Sequence, residues 1–265
     1  MDNQTVYASR IFLNAALPLL KVLVEEKPTL RKAFAGKSGV VQVSAVEDGR
    51  GDTRKIGTHF VVTCGELAVV CGLAEKPTIE LEFASVESLN GFFSGASKKL
   101  PRIHGILKAP GLLVATFRAL LTMAAALGAK EPPSDPEECA LLVKLYFYLL
   151  SSGISQLNKA GHPAVTKWTA QSPDRVYAWA VAGRPDLAAF IRVKAGHTRA
   201  ARGTYERSKP FFTMSFDSPQ SALGILLERD DMIAATTQGR LTMLGAPEYG
   251  AMLGEYMMLV GSLAK

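Results

Sequence analysis

Apolar residues are arranged in two series along the chain, each made of long helical patterns and short strand patterns. Each half opens with a long apolar helical pattern, at residues 8–34 and 137–160. Each half closes with a strongly apolar helix, at residues 112–127 and 248–264. Because strands and helices are segregated rather than alternating, this order predicts two successive units of the α+β class.

Short apolar or alternating runs predict five strands between the helices of each half. In the first half these strands lie at 40–46, 58–64, 67–73, 78–83 and 102–107, and in the second half at 164–169, 176–182, 187–193, 211–216 and 235–243. Turn-forming residues separate them, at 48–52, 64–66 and 183–186. The fourth strand of each half runs into a short helix, at 85–93 and 218–228.

The two halves also share residues at a constant spacing. A shift of 133 residues, about half of the 265-residue chain, matches five pairs: Pro77 with Pro210, Phe83 with Phe216, Ser85 with Ser218, Ser88 with Ser221, and Gly91 with Gly224. With one further residue of drift, Gly105 meets Gly239. This spacing favours a tandem duplication. The proline-rich stretch 128–136 cannot continue a helix, so we predict repeat A at 1–130 and repeat B at 134–265.

One known family has this order of elements. The first unit carries PTIELEFASVESLNGFFSG followed by RIHGILKAPG, and the second carries PFFTMSFDSPQSALGILLE followed by TTQGRLTMLG. Each resembles a module of the sterol carrier protein type 2 family. The resemblance implies a roughly five-stranded, mainly antiparallel sheet with helices on one face. It also implies a hydrophobic cavity between sheet and helices that accepts sterols, fatty acids, acyl-CoA or phospholipids, and no catalysis by the module itself.

The closing helices and the methionines bear on whether such a cavity exists. Residues 112–127 carry one charge and 248–264 carry two, so both helices should be buried on several sides, in a core, a seam between units or a lipid tunnel. Six of the eight methionines follow residue 210, where they either fill gaps in a core or line a site for variable apolar shapes. If a tunnel exists, we expect it to be lined by Phe216, Leu223, Leu226, Met232, Met243, Tyr249, Met252 and Tyr256.

A basic stretch at 192–209 reads as an insertion between the third and fourth strands of the second half. It holds six Lys or Arg against one acid, whereas the first half passes the same point in residues 74–76. Clustered cations can hold a phosphate or attract an anionic membrane surface. Lys194, Arg199, Arg202 and Arg207 are therefore candidates for head-group or transient membrane contact, the alternative being a solvated hairpin extension.

Composition bears on nucleic-acid binding, metal sites and membrane spans. With 48% apolar and 20% charged residues the chain is a globular protein, and a net charge of +6 is too small to predict nucleic-acid binding. Three cysteines without Cys-x-x-Cys spacing indicate a reducing compartment, and four scattered histidines predict no metal and no cofactor. The apolar stretch 11–24 is interrupted and too short for a bilayer span, so we expect a cytoplasmic protein.

The resemblance, taken with these patterns, implies non-enzymatic carriage of a sterol, fatty acyl chain or phospholipid in an apolar cavity. The alternative is a scaffold protein whose cavity is filled by side chains and whose surface binds a partner protein. An acyl hydrolase or transferase is disfavoured because no nucleophile–base pair can be nominated. The ligand, the number of binding units and the oligomeric state stay open at this point.

Overall fold

The computed structural model describes residues 2–47 and 54–264, which form two compact units. The first unit comprises Met1–Ala125 with the last residues of the chain, and the second comprises Ala126–Ser262. Each unit contains one five-stranded sheet and several helices, which confirms the α+β class. The turn predicted at 48–52 lies outside the described residues.

The first unit begins with helices and continues with its sheet. Its elements are α1 (Asn3–Ile11), a π-helical turn (Phe12–Ala16), α2 (Leu19–Glu26), α3 (Pro28–Phe34), β1 (Gly39–Val46), β2 (Lys55–Thr63), β3 (Glu66–Cys71), β4 (Ile79–Phe83), α4 (Val86–Phe93), β5 (Arg102–His104) and α5 (Pro110–Leu127).

The second unit has the same general order, but two helices instead of one lie between its fourth and fifth strands. Its elements are α6 (Pro136–Lys159), α7 (Pro163–Gln171), β6 (Arg175–Val181), β7 (Arg184–Lys194), β8 (His197–Arg202), β9 (Phe212–Phe216), α8 (Pro219–Leu226), α9 (Met232–Thr237), β10 (Leu241–Leu244) and α10 (Pro247–Ala264).

The two sheets have the same topology. Their strand orders are β3-β2-β1-β4-β5 and β8-β7-β6-β9-β10. In each sheet one central pair is parallel, β1 with β4 and β6 with β9, while the other pairs are antiparallel. The sheets are therefore mixed and mainly antiparallel. The two sheets share one strand order, and the duplication stays a prediction.

Residues matched between the two halves have matching structural roles. Ser85 caps α4 by accepting a hydrogen bond from the backbone N–H of Ser88, and Ser218 caps α8 in the same way through Ser221. The paired Phe83 and Phe216 are both buried. The shared residues therefore specify helix starts and core positions, not a reactive group.

Three secondary-structure predictions in the second half are wrong. Residues 164–169 lie in helix α7, which Pro163 begins at its first turn, where the missing N–H costs nothing. Residues 235–243 divide between α9, capped by Asp231, and strand β10. The supposed insertion at 192–209 supplies β8, the third strand of this sheet, so it is not an insertion.

The long helix predicted at 8–34 is divided into shorter pieces. Pro28 starts α3 after an extended Lys27, and the π-helical turn replaces an α-helical one before Pro18. The hydroxyl of Thr58 on β2 donates a hydrogen bond of 2.7 Å to the carbonyl of Leu13 within that turn. The buried threonine therefore ties the irregular turn to the sheet.

Helix α5 is far less buried than its composition predicts. Val114 is 56% and Leu121 69% exposed, so the expectation that this helix is covered on several sides is wrong. By length and composition, the stretches Asn3–Glu26, Pro110–Leu127 and Pro136–Lys159 of the described chain could cross a membrane. The first and third of them bury most of their residues inside the protein, whereas the second, which is α5, does not.

The sheet of the first unit carries a charged network on the face opposite its helices. Glu80 of β4 accepts hydrogen bonds from Gln42 (2.9 Å), Ser44 (2.6 Å) and Lys55 (3.1 Å), and Lys55 also binds Glu82. Desolvation raises the pKa of Glu80, but these hydrogen bonds outweigh it and hold the pKa below its usual value. Gln42 and Ser44 are buried, so their amide and hydroxyl depend on this carboxylate.

Replacing Glu80 by glutamine is expected to lower the stability of the first unit. It should also remove the loss of stability at acid pH that protonation of Glu80 causes. A carboxyl group with a lowered pKa in the folded state stabilises the protein above its unfolded-state pKa, and this contribution is lost as pH falls through the folded-state pKa. At neutral pH the loss should be about 1–3 kcal/mol. Urea unfolding between about pH 3 and pH 7 measures it. The exposed Glu75→Gln variant is the control. An unchanged acid dependence in Glu80→Gln would contradict the prediction.

Candidate functional site

The interior of the first unit contains a small cavity. Between its sheet and helices lies an apolar cavity of about 10 Å³, lined by Leu20, Phe34, Val41, Phe60, Val62, Leu67, Thr116 and Ala119. This volume accommodates no more than about one water molecule. An acyl chain therefore cannot enter this cavity without rearrangement of its walls.

In the second unit the helices cover one face of the sheet. Tyr177 and Trp179 of β6 lie on this face, and the parallel register places Phe212, Met214 and Phe216 of β9 beside them. Phe147 of α6 stacks on Phe216 with ring centroids 5.9 Å apart, and the Trp179 indole N–H donates to the Met257 sulfur of α10 at 3.3 Å. Helices α6 and α10 therefore pack on the same face.

Five aromatic residues meet at one end of this interior, and we call them the aromatic cluster: Trp168, Tyr177, Phe211, Tyr249 and Tyr256. Ring centroids are 5.2 Å apart for Trp168 with Tyr177 and for Trp168 with Tyr256, and 6.0 Å for Tyr177 with Tyr249. Phe211 completes the group, 4.9 Å from Tyr249 and 5.8 Å from Tyr177. The rings come from α7, β6, the segment before β9 and α10, so tertiary packing alone brings them together.

Helix α10 presents glycines to flexible methionines beside this cluster. A Cβ added at Gly250 would overlap the Met243 sulfur and lie 3.3 Å from the Phe212 ring. A Cβ at Gly254 would lie 3.4 Å from the Met232 methyl group. Because thioether side chains change rotamer easily, the space beside α10 is filled by residues that can move.

Two buried polar atoms in the aromatic cluster make no hydrogen bond within the described part of the chain. They are the hydroxyl of Tyr177, whose side chain is fully buried, and the indole N–H of Trp168. The Arg175 guanidinium is near enough to interact electrostatically with the Tyr177 hydroxyl, but without hydrogen-bond geometry. Leaving a buried polar group unpaired costs about 1–3 kcal/mol. These two atoms are therefore the groups of the second unit's interior that are available to bind the polar part of a ligand.

The eight residues predicted to line a tunnel are distributed over the second unit. Tyr249 and Tyr256 belong to the aromatic cluster, and Met243 and Met232 pack against the glycines of α10. The other four lie apart from the cluster contacts: Phe216 against Phe147, Leu223 buried in α8, and Leu226 and Met252 half-buried.

Sequence reasoning missed Trp168, Tyr177, Phe211 and Arg175. The alternation from Arg175 through Tyr177 to Trp179 places large side chains on one face of β6, which is a usable signal. The place of Trp168 in the cluster could not be predicted, because the pattern at 164–169 indicates a strand whereas these residues form helix α7.

The four cations predicted to contact a head group or membrane do not form one patch. On β8, Arg202 stacks over the Tyr148 ring of α6 at 4.9 Å, on the helix-covered face. Arg199 is exposed and pairs in register with Arg192 on the opposite face. Lys194 forms an ion pair of 3.6 Å with Asp174, and Arg207 lies exposed in the segment after β8.

Structural comparison finds two neighbours of sterol-carrier type. One is sterol carrier protein 2, with 16% identity and a TM-score of 0.29, covering 43% of this chain and 92% of that protein. The other is a Thermus thermophilus protein described as possibly a sterol carrier protein, with 16% identity and a TM-score of 0.30, covering 51% and 95%. A sec-alkylsulfatase from Pseudomonas sp. has 14% identity and a TM-score of 0.25, and the match covers 64% of this chain and 31% of that enzyme. No protein-family model and no curated protein matches the chain.

Proposed function

We propose that the second unit binds an amphiphilic lipid between its sheet and helix α10. The observation that carries this proposal is the pair of unpartnered polar atoms, Tyr177 OH and Trp168 Nε1, at the end of an apolar, methionine-rich interior. A ligand with a polar head and an apolar tail would satisfy these atoms at one end and replace the methionines at the other.

The apolar tail supplies the binding energy in this proposal. Each buried methylene contributes about 0.8 kcal/mol, so a partly enclosed chain offsets the cost of moving side chains such as Met243 and Met232. Gly250 and Gly254 leave the surface of α10 flat once those methionines move. The packing of Met243 and Met232 against α10 is then the unliganded state, and ligand entry is a repacking of side chains.

The proposed activity is binding and carriage, not catalysis. The aromatic cluster and Arg175 include no serine, cysteine, histidine or carboxylate, and therefore no nucleophile paired with a histidine or carboxylate base. Lipid binding of this kind requires no metal or cofactor. We expect a cytoplasmic protein.

A second candidate function is that of a scaffold that binds a partner protein. It is favoured by the small cavity of the first unit and by the exposed apolar residues of α5, among them Val114 and Leu121. Exposed apolar surface of this kind marks interaction sites. A scaffold would bind its partner without any lipid.

Native mass spectrometry of the freshly purified protein, followed by organic extraction, tests the proposal. We expect a mass excess equal to one lipid that is lost on extraction and restored by incubation with an amphiphile. The Tyr177→Phe variant removes the unpaired hydroxyl and should retain less of that lipid. A bare polypeptide mass that fatty acids, sterols and phospholipids all leave unchanged would overturn the proposal and favour the scaffold.

A further inference from the structure

The hydrogen-bonding groups at the aromatic cluster are dominated by donors. The Trp168 indole can only donate, the Tyr177 hydroxyl can donate or accept, and the Arg175 guanidinium donates and is always charged. Arg175 and Tyr177 are two residues apart on β6, so they lie on the same face of the strand. These three residues of the cluster region therefore supply positive charge and N–H or O–H groups.

Arg175 is held in place by aromatic rings. Its guanidinium carbon lies 3.8 Å from the centroid of the Phe211 ring and 5.4 Å from that of Tyr249. Its Nη1 donates a hydrogen bond of 2.9 Å to the Tyr249 hydroxyl. An arginine stacked in this way keeps its remaining N–H groups in a fixed direction, which favours bidentate recognition of a carboxylate or a phosphate.

Arg175 has no acidic partner within the described residues. The adjacent carboxylate, Asp174, is used elsewhere: it accepts a 2.7 Å hydrogen bond from Arg192 and pairs with Lys194 at 3.6 Å. By contrast, other arginines of this unit have carboxylates, as Arg229 does in Glu131. Arg175 therefore carries a charge that this part of the fold leaves unneutralised.

We infer that the ligand of the second unit carries an anionic head, a carboxylate or a phosphate, that is bound by Arg175, Trp168 and Tyr177. This inference rests on the proposed function, because it assigns the head group of the same lipid. A neutral hydroxyl could accept one of these hydrogen bonds but would leave the guanidinium charge unpaired. An oxyanion accepts from all three groups, and its charge-assisted hydrogen bonds are the stronger kind.

Binding of four probes with the same sixteen-carbon chain tests this inference: hexadecanoate, hexadecyl phosphate, methyl hexadecanoate and hexadecanol. We expect the native protein to bind one or both anions at least about tenfold more tightly than the ester and the alcohol. Tighter binding of hexadecanoate would identify the head as a carboxylate, and tighter binding of hexadecyl phosphate would identify it as a phosphate. In Arg175→Gln the preference should disappear, because the anions should lose more affinity than the ester does, and Arg175→Lys should retain part of the preference.

Arg199→Gln is the matched control, because Arg199 is an exposed cation of the same unit. It should leave the preference intact. Equal binding of all four probes by the native protein would overturn the inference while the proposed lipid binding stands. Loss of the preference in Arg199→Gln but not in Arg175→Gln would also overturn it. If no probe binds, the proposed function fails and the inference fails with it.

Discussion

Replacing Trp179 by alanine is expected to lower the free energy of unfolding of the second unit by about 3–5 kcal/mol. Trp179 is fully buried on the central strand β6, with Met214 and Ala189 beside it in register on the neighbouring strands. Its indole N–H donates to the Met257 sulfur, so the substitution also removes a contact between sheet and α10. The cavity left behind has neighbours on several elements, so it cannot close by a small local shift.

Urea unfolding monitored by circular dichroism measures this loss. Trp168→Ala is the matched control, since Trp168 is only half-buried and its N–H makes no hydrogen bond. It should cost clearly less than Trp179→Ala. Equal losses for the two variants would mean that Trp179 does not join the sheet to α10 as described.

Replacing Gly250 by leucine is expected to reduce lipid binding at least about a hundredfold, which corresponds to about 2.7 kcal/mol. The new side chain must occupy the space that Met243 and Phe212 now fill, so Met243 can no longer move aside for a ligand tail. The variant should also lose some stability, because overpacking a filled interior costs about 1–3 kcal/mol.

Gly261→Leu provides the control on the same helix. A Cβ added at Gly261 has no atom within 4 Å, so this variant gains helix propensity of up to about 1 kcal/mol without entering the interior. Isothermal titration with the anionic amphiphile that the native protein binds compares the two. Undiminished uptake by Gly250→Leu would place the ligand away from α10 and contradict the prediction.

The features predictable from the sequence are those set by residues close together in the chain. The caps at Ser85 and Ser218 follow from short-range patterns, as do the apolar strands and the closing helices α5 and α10. The prediction of a strand at 164–169 is wrong because apolar residues at this spacing fit a short strand and a short helix equally well. There the proline at 163 was the deciding signal.

The candidate site could be predicted only in part, because its residues are distant in sequence. Tyr249 and Tyr256 are among the residues that we expected around a tunnel. The groups that give the cluster its polarity, Arg175 and Tyr177, join them only through the packing of α10 on β6. The charged network of the first sheet has the same origin. Its partners, Gln42 and Glu80, become neighbours through the parallel pairing of β1 with β4.

That charged network also bears on how two halves of the same topology avoid misassembly. In the second sheet the register positions of Gln42 and Ser44 are held by Ala178 and Ala180, opposite Thr213 and Ser215. Exchange of β1 for β6 during folding would separate the Gln42 amide and the Ser44 hydroxyl from the Glu80 carboxylate that accepts their hydrogen bonds. Loss of a hydrogen bond to a charged group costs about 1.5–3 kcal/mol. Strand swapping is a characteristic failure of repeated folds. The buried Gln42 and Ser44 side chains of β1 thus favour pairing of this strand with β4 of its own sheet.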